Sequence, residues 1–242
     1  FFATASTCRQ RSTDVVTVAL PEKFTAFDTL TSTGSDASAE RIKTLIFNSL
    51  VKKNENFEYV GELAKDVKTS EDGKTITFTL QDNVKFHNGA AFTSADVKYT
   101  FDVLFKSNGY KSGAFFDTIP LEKSEASKPA APAASPTGNA NSNANAASKP
   151  VEEPKTKRVA HITSIETPDA KTVVFTVTRP ALRNQLLSNL VAIPIIPQGT
   201  AAEQKDKPIG SGPFKFTSFD ASQNTVELAG NTEYWDGAPK VA

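Results

Sequence analysis

The sequence predicts a mixed α/β fold in which β-sheets carry flanking helices. Two kinds of periodicity indicate this fold class. In residues 74–80, KTITFTL, threonine and apolar side chains alternate, which is typical of a strand with one buried face. After Thr93, apolar side chains recur at helical spacing and form one stripe that faces a core. The members of this stripe are Val97, Phe101, Leu104 and Phe105.

The first part of the chain alternates predicted strands and helices. Residues 14–20 are predicted to form an apolar strand that ends at Pro21, and a loop rich in threonine and serine follows. Residues 37–52 are predicted to form a helix. Its buried side chains would be Ile42, Leu45, Ile46 and Leu50. The next helix is capped by Thr93, with the negative charge of Asp96 in its first turn.

The second part of the chain begins with a segment of low complexity. Residues 124–154 contain no aromatic side chain, so we expect them to be a disordered insertion. A hairpin with one well-buried face is predicted across residues 159–178. A helix with four leucines at helical spacing follows, and residues 193–197, IPIIP, are predicted to be extended and to re-enter the core. A strand pair is predicted after Pro208.

The composition argues against several classes of protein. Lysine plus arginine and aspartate plus glutamate number 27 each, so no overall charge attracts nucleic acid or an anionic membrane surface. No run of eighteen apolar residues is present, as a spanning helix would require. The two histidines and the single cysteine do not have the spacing of metal ligands. We therefore expect no nucleic-acid partner, no metal or other cofactor, and no disulfide within the chain.

Catalytic motifs are also missing from the sequence. Gly210-Ser211-Gly212 is not a nucleophile elbow, because Ile209 stands where that motif needs its first glycine. It is not a dinucleotide fingerprint, because Lys215 stands at the third glycine position. The simpler interpretation is that glycine allows close backbone approach at the start of a strand.

Residues 1–13 resemble the tail of a signal peptide. Small residues precede Cys8, as they do at bacterial lipoprotein cleavage sites, where the cysteine thiol carries the lipid. Such sites usually have leucine at the position that Ala5 occupies here. Two interpretations stay open: lipidation of Cys8, or an incidental cysteine in an unstructured terminus.

Three blocks of the chain resemble the family 5 extracellular solute-binding proteins, the peptide- and nickel-type binding subunits of ABC importers. Residues 70–101, SEDGKTITFTLQDNVKFHNGAAFTSADVKYTF, are similar to the signature region of that family. The second block is residues 161–190, HITSIETPDAKTVVFTVTRPALRNQLLSNL. The third joins PIGSGPFKF, residues 208–216, to NTEYWDG, residues 231–237. The resemblance covers residues 14–242 apart from the low-complexity insertion.

The resemblance implies a periplasmic binding protein-like fold of type II, in the peptide-binding cluster, with mixed sheets and flanking helices. Solute would be trapped between two lobes that close about a hinge. Residues 14–50 and 192–242 would form the two segments of domain I, and residues 51–191 domain II with the insertion at 124–154. The second lobe would be missing, so we expect the chain to be a fragment.

In function, the resemblance implies the extracytoplasmic solute-binding subunit of an ABC importer, with oligopeptides or dipeptides as the solute. Its partners would be the permease and ATPase subunits. The protein would be a monomer without enzymatic activity, at the periplasmic or extracellular face of the bacterial cytoplasmic membrane, where only a lipid on Cys8 would anchor it. A nickel chelate, haem or an oligosaccharide stay open as solutes, as does a secreted sensor or adhesion module. A secreted hydrolase is the least favoured alternative.

The resemblance also implies which residues contact the solute. The loop after the first strand would line the cleft through Glu22, Lys23, Phe24 and Phe27. The alternative is a solvated surface loop anchored by one phenylalanine. The loop after the capped helix would present Tyr110 and Phe115, or Phe115 would instead pack on that helix. Gly212 completes the predicted ligand-binding set.

Overall fold

The computed structural model describes residues 15–28, 30–120 and 156–241 of the 242-residue chain. The helices are α1 (Ala37–Ile46), α2 (Ser94–Lys106), α3 (Tyr110–Gly113) and α4 (Leu182–Leu190). The first five strands are β1 (Val51–Lys53), β2 (Tyr59–Gly61), β3 (Ala64–Thr69), β4 (Thr75–Leu80) and β5 (Phe116–Pro120). The others are β6 (Thr156–Ala160), β7 (Ile162–Asp169), β8 (Thr172–Val177), β9 (Phe214–Asp220) and β10 (Thr225–Gly230). The mixed α/β fold class is confirmed.

The core is built on a four-stranded antiparallel sheet with strand order β3-β4-β8-β7. Phe78 of β4 stands opposite Val173 of β8, and each strand turns alternate side chains into the core, as the sequence predicted. Helix α2 packs on β7 and β8. The ring of Phe101 lies 5.1 Å from that of Phe175 in an edge-to-face contact.

Helix α2 begins after Thr93, and the side chain of Asp96, in the first turn as predicted, reaches back to Thr93. The backbone N–H and the hydroxyl of Thr93 both donate to Asp96 Oδ2, at 2.8 Å and 3.0 Å. The side chains of Val97, Phe101 and Leu104 are fully buried, while Phe105 is half-buried at the edge of the stripe. All four leucines of α4 are buried, which confirms the helical spacing read from that segment.

Helix α1 ends six residues before the predicted end at residue 52. Its last carbonyl, that of Ile46, accepts a hydrogen bond from the backbone N–H of Gly212 at 2.8 Å. The chain leaves the helix at Phe47, whose backbone is extended, and continues into β1 through buried residues. Leu50 is still fully buried, but as a residue outside the helix, and Leu45 is 40% exposed.

The predicted strand at residues 14–20 is wrong over residues 15–20, which the structure describes without regular secondary structure. Val15, Val16 and Val18 are exposed there. An apolar alternation becomes a strand only where a neighbour pairs with its backbone, and no described strand pairs with these residues.

In addition to the four-stranded sheet, the described residues form three two-stranded sheets: β1-β2, β9-β10 and β5-β6. The described residues up to Phe116 and from Ala160 onward form one compact unit, and those within Asp117–Val159 form another. The division into domains at residues 50 and 191 stays a prediction. The predicted insertion, residues 124–154, and Cys8 lie outside the described residues.

Candidate functional site

Two segments that the sequence assigned to solute contact meet beside α1. The backbone N–H of Tyr110 donates to the carbonyl of Ser32 at 3.0 Å. A Cβ on Gly109 would lie 2.9 Å from the carbonyl oxygen of Thr31, so only glycine allows this approach. These contacts join the loop that follows Pro21 to the start of α3, the one-turn helix that follows α2.

The N-terminal end of α1 holds this loop. Asp36 caps the helix by accepting from the backbone N–H of Ala39 at 2.8 Å, and it also accepts from the backbone N–H of Thr25 at 3.0 Å. Burial on its own would raise the pKa of Asp36, but hydrogen bonds from Thr25 and Ala39 outweigh it and lower the pKa.

The carboxylate of Glu40 lies where the loop after Pro21 and the segment around Tyr110 meet. It accepts the hydroxyl of Tyr110 on Oε1 at 2.7 Å, and it pairs with the ammonium groups of Lys111 and Lys43 at 2.7 Å each. We call Glu40, Lys43, Tyr110 and Lys111 the Glu40 cluster. Burial opposes ionisation of Glu40, yet Lys111 and Lys43 together lower its pKa.

The cluster mixes buried charge with an exposed ring. The side chain of Lys111 is only 4% exposed, and burial, with Lys43 close by, lowers its pKa to about 8. Tyr110 is 38% exposed. Burial of its hydroxyl and the neighbouring Glu40 carboxylate raise the pKa of Tyr110. The arrangement fixes the hydroxyl while part of the ring faces solvent.

The predicted residues of the first loop divide into two groups. Glu22 and Lys23 are exposed, and the backbone carbonyl of Glu22 accepts from the hydroxyl of Ser38 at 2.7 Å. Phe24 and Phe27 are buried. Phe24 packs on Phe219 of β9 at 5.1 Å, and Phe27 packs on Phe216 of the same strand at 4.7 Å. Their rings therefore anchor the loop, and solute contact by this group stays a prediction.

Phe115 and Gly212 lie apart from the Glu40 cluster. Phe115 is 2% exposed and packs against Phe101 and Phe105 of α2, which is the packing alternative that the sequence left open. Gly212 lies at the C-terminal end of α1, where an added Cβ would come within 2.6 Å of Ile46. The structure thus gives Gly212 the close backbone approach that the sequence predicted. Solute contact by Phe115 and Gly212 stays a prediction.

A second polar group, missed by the sequence analysis, is centred on Asn48. Its amide nitrogen donates to Glu62 Oε1 at 2.9 Å and to the hydroxyl of Tyr234 at 3.1 Å. Its amide oxygen accepts from the hydroxyl of Ser211 at 3.1 Å and from Trp235 Nε1 at 3.3 Å. Burial raises the pKa of Glu62. A cleft of about 180 Å³ lies beside this group, lined in part by Lys43, Ser49, Lys52 and Glu62.

Apart from Tyr110 and the aromatic pair at residues 234–235, the members of these two polar groups have no signal in the sequence. Glu40 and Tyr110 are 70 positions apart, and Asn48 and Tyr234 are 186 positions apart. No helical or strand periodicity relates positions so distant, so only the folded chain reveals these pairs.

No group of three histidine, cysteine, aspartate or glutamate side chains is placed to hold a metal ion within residues 15–28, 30–120 and 156–241. Over the same ranges, no helix combines the length and the apolar character needed to cross a bilayer.

Several known proteins are similar to this chain in sequence. A Brucella ovis protein, provisionally named as an ABC transporter peptide-binding protein, is 33% identical over 207 residues, which are 81% of this chain and 31% of that protein. The oligopeptide-binding protein AppA of Bacillus subtilis is 27% identical over 230 residues, covering 95% of this chain and 36% of AppA. This chain therefore spans about a third of the length of these relatives.

Solved structures show the same fold. The structure of Bacillus subtilis AppA in complex with a nonapeptide superposes with a TM-score of 0.63 at 22% identity, over 90% of this chain and 36% of AppA. NikZ from Campylobacter jejuni, in complex with Ni(L-His), gives a TM-score of 0.60 at 20% identity, over 88% of this chain and 35% of NikZ. The family model of the bacterial extracellular solute-binding proteins, family 5, matches residues 58–242. The chain belongs to this family of solute-binding proteins.

Proposed function

We propose that the protein is the extracytoplasmic solute-binding subunit of an ABC importer and that its solute is a short peptide. Support for a peptide comes from relatives: the Brucella ovis protein is named as peptide-binding, and a relative in Pseudomonas aeruginosa is a di/tripeptide-binding protein. The protein would hold the peptide without altering it and pass it to permease and ATPase subunits. It would act as a monomer in the periplasm or at the outer face of the membrane. An anchor through a lipid on Cys8 belongs to the same proposal.

The observation that carries the proposal is the meeting of two loops at the Glu40 cluster. The exposed part of the Tyr110 ring can pack against an apolar side chain of a peptide. Glu22 and Lys23 lie exposed on the adjoining loop and offer charges to peptide termini or side chains. A wall with one rigid aromatic ring and a few polar groups suits a ligand whose backbone is constant and whose side chains vary.

Calorimetric titration of the complete protein with di-, tri- and longer peptides tests the proposal. Saturable binding without peptide cleavage is the expected result. Replacing the exposed ring in Tyr110→Ala should weaken binding by about 10-fold, the size of one lost aromatic contact. Phe57→Ala is the matched control, because Phe57 is an exposed aromatic residue (79% exposed) in the turn between β1 and β2.

Three outcomes would contradict the proposal. Turnover of a peptide would make the protein an enzyme. Binding of Ni(L-His), haem or an oligosaccharide in place of every peptide would assign a different solute. An equal loss of affinity in the Tyr110→Ala and Phe57→Ala variants would show that the Glu40 cluster is not part of the solute-binding surface.

A further inference from the structure

We infer that Glu40 is a positioning residue: its carboxylate holds the Tyr110 hydroxyl and so pre-orients the exposed ring for the solute. This inference rests on the proposed function, because it assigns a role in peptide binding. Besides a contact of its hydroxyl with Ser35, Tyr110 is attached at two points. Its backbone N–H donates to Ser32, and its hydroxyl donates to Glu40, at 3.0 Å and 2.7 Å. Two attachments on different elements hold the side chain in one χ1 rotamer and so fix where the ring lies.

The elements that carry these attachments are themselves fixed. Glu40 lies in the first turn of α1, which Asp36 caps. The turn that carries Tyr110 approaches residues 31–32 so closely that Gly109 has no room for a side chain. A ring held before binding loses less conformational freedom when the solute arrives, so the affinity is higher than with a mobile ring.

Glu40 has a second role that any test must separate from the first. Lys111 is almost completely buried and is paired with Glu40 at 2.7 Å. Removing the carboxylate alone would leave two largely buried cations, Lys111 and Lys43, without their counter-charge, which destabilises the fold whether or not Tyr110 matters. The single variant Glu40→Ala therefore cannot distinguish positioning from stability.

Two double variants make the distinction. Glu40→Gln with Lys111→Met removes one charge of each sign but keeps an oxygen that can accept the Tyr110 hydroxyl. Glu40→Ala with Lys111→Met removes the charges and the acceptor. Lys43, which also donates to the carbonyl of Ala192, stays the same in both double variants. Thermal unfolding should show similar stabilities, whereas peptide affinity should be about 10-fold lower in the alanine pair, as expected for one lost hydrogen bond.

Adding Tyr110→Phe to each double variant completes a cycle. The phenylalanine keeps the ring but cannot donate to position 40. It should weaken binding clearly in the glutamine pair and much less in the alanine pair, where the acceptor at position 40 is already absent and only Ser35 stays beside the hydroxyl. Equal affinities of the two double variants, or an equal effect of Tyr110→Phe in both, would overturn the inference.

Fluorine NMR of a 3-fluorotyrosine placed at position 110 reads the ring without any solute. In the glutamine pair, we expect a fluorine chemical shift displaced from that of free fluorotyrosine, because the side chain keeps one position. In the alanine pair, we expect a shift closer to the free value, because the side chain samples several positions. Identical spectra would overturn the positioning role even if peptides bind. A protein that binds no peptide but shows the expected spectral difference would refute the proposed function while supporting the role of Glu40 in orienting Tyr110.

Discussion

The carboxylate of Asp96 accepts a hydrogen bond from the backbone N–H of Gln198 at 2.9 Å, across 102 positions of the chain. Its other oxygen accepts from Thr93 and closes the cap of α2. One turn later, the hydroxyl of Thr100 accepts from the backbone N–H of Ile196 at 3.1 Å. The start of α2 is therefore attached by polar bonds to the buried segment that follows α4. A helix cap and a tertiary contact share one side chain.

Replacing Asp96 with alanine should lower the free energy of unfolding by about 2 kcal/mol, since the cap of α2 and the backbone N–H of Gln198 lose their acceptor together. Asp102→Ala is the control on the same helix. Asp102 is 48% exposed and pairs with Lys98, so its loss should cost only about 0.5 kcal/mol. Urea unfolding followed by the fluorescence of Trp235 measures both. A loss for Asp96→Ala no greater than that of the control would contradict the double role.

Adding one methyl group at Gly212 should destabilise the fold by about 3 kcal/mol, because the new Cβ would lie 2.6 Å from the backbone of residues 45 and 46. Gly34→Ala is the matched control. A Cβ at Gly34 meets no atom within 4 Å, so we expect a change within about 0.5 kcal/mol. The denaturant midpoints of the two variants measure these changes. Similar midpoints would show that the backbone around Gly212 shifts to accommodate the methyl group.

Burial raises the pKa of Glu62 above its ordinary value of 4.5. Because the native pKa exceeds the unfolded one, the stability linked to Glu62 is fully present at low pH and is lost as the pH rises through the native pKa. Lys52 lowers this pKa and Asp236 raises it. The pKa of Glu62, measured by NMR titration of its carboxyl carbon, should therefore be higher in Lys52→Gln and lower in Asp236→Asn. Shifts in the same direction would rule out this electrostatic arrangement.

Lys111 should make the stability depend on pH in the alkaline range. Its native pKa, about 8, lies below the ordinary value of 10.5 because of burial and the proximity of Lys43. The unfolded chain then holds more protons between these values, so the stability linked to Lys111 increases from about pH 8 to pH 10.5. The gap in unfolding free energy between the wild type and Lys111→Met should shift in favour of the wild type over this range.

The control for Lys111 is Lys68→Met, whose side chain is 78% exposed in the native protein. We expect its pH curve to run parallel to that of the wild type. Chemical denaturation at several pH values provides both curves. A constant gap between the wild type and Lys111→Met would mean that the ammonium is not desolvated.

Much of the fold could be predicted from local pattern. The alternation in β4 and β8, the leucine spacing of α4 and the cap of α2 are encoded within a few neighbouring residues, and the structure confirms each. The segment at residues 15–20 has an equally clear apolar pattern but is not a strand. Pattern alone cannot say whether a partner strand is in place.

The candidate site was predictable only in part. The sequence, through a family resemblance, selected Tyr110 and the loop at Glu22–Phe27, but it did not select Glu40, Lys43 or Lys111. Polar residues on a helix and in a turn are ordinary surface features until the fold brings them together. Phe24 and Phe27 show the opposite case, because their burial against β9 could not be distinguished from exposure in a cleft.

The sequence by itself determined where most helices and strands form and which family the chain resembles. Hydrophobic periodicity, helix capping and the order of motifs depend on residues that are close together in the sequence. Only the tertiary structure decided where α1 ends, which loops meet and which carboxylate holds Tyr110. Those outcomes depend on close approach and on the pairing of buried charges between distant positions, such as the hydrogen bond between Tyr110 and Glu40 across 70 residues. Burial sets the strength of such pairs, and burial exists only once the chain has folded.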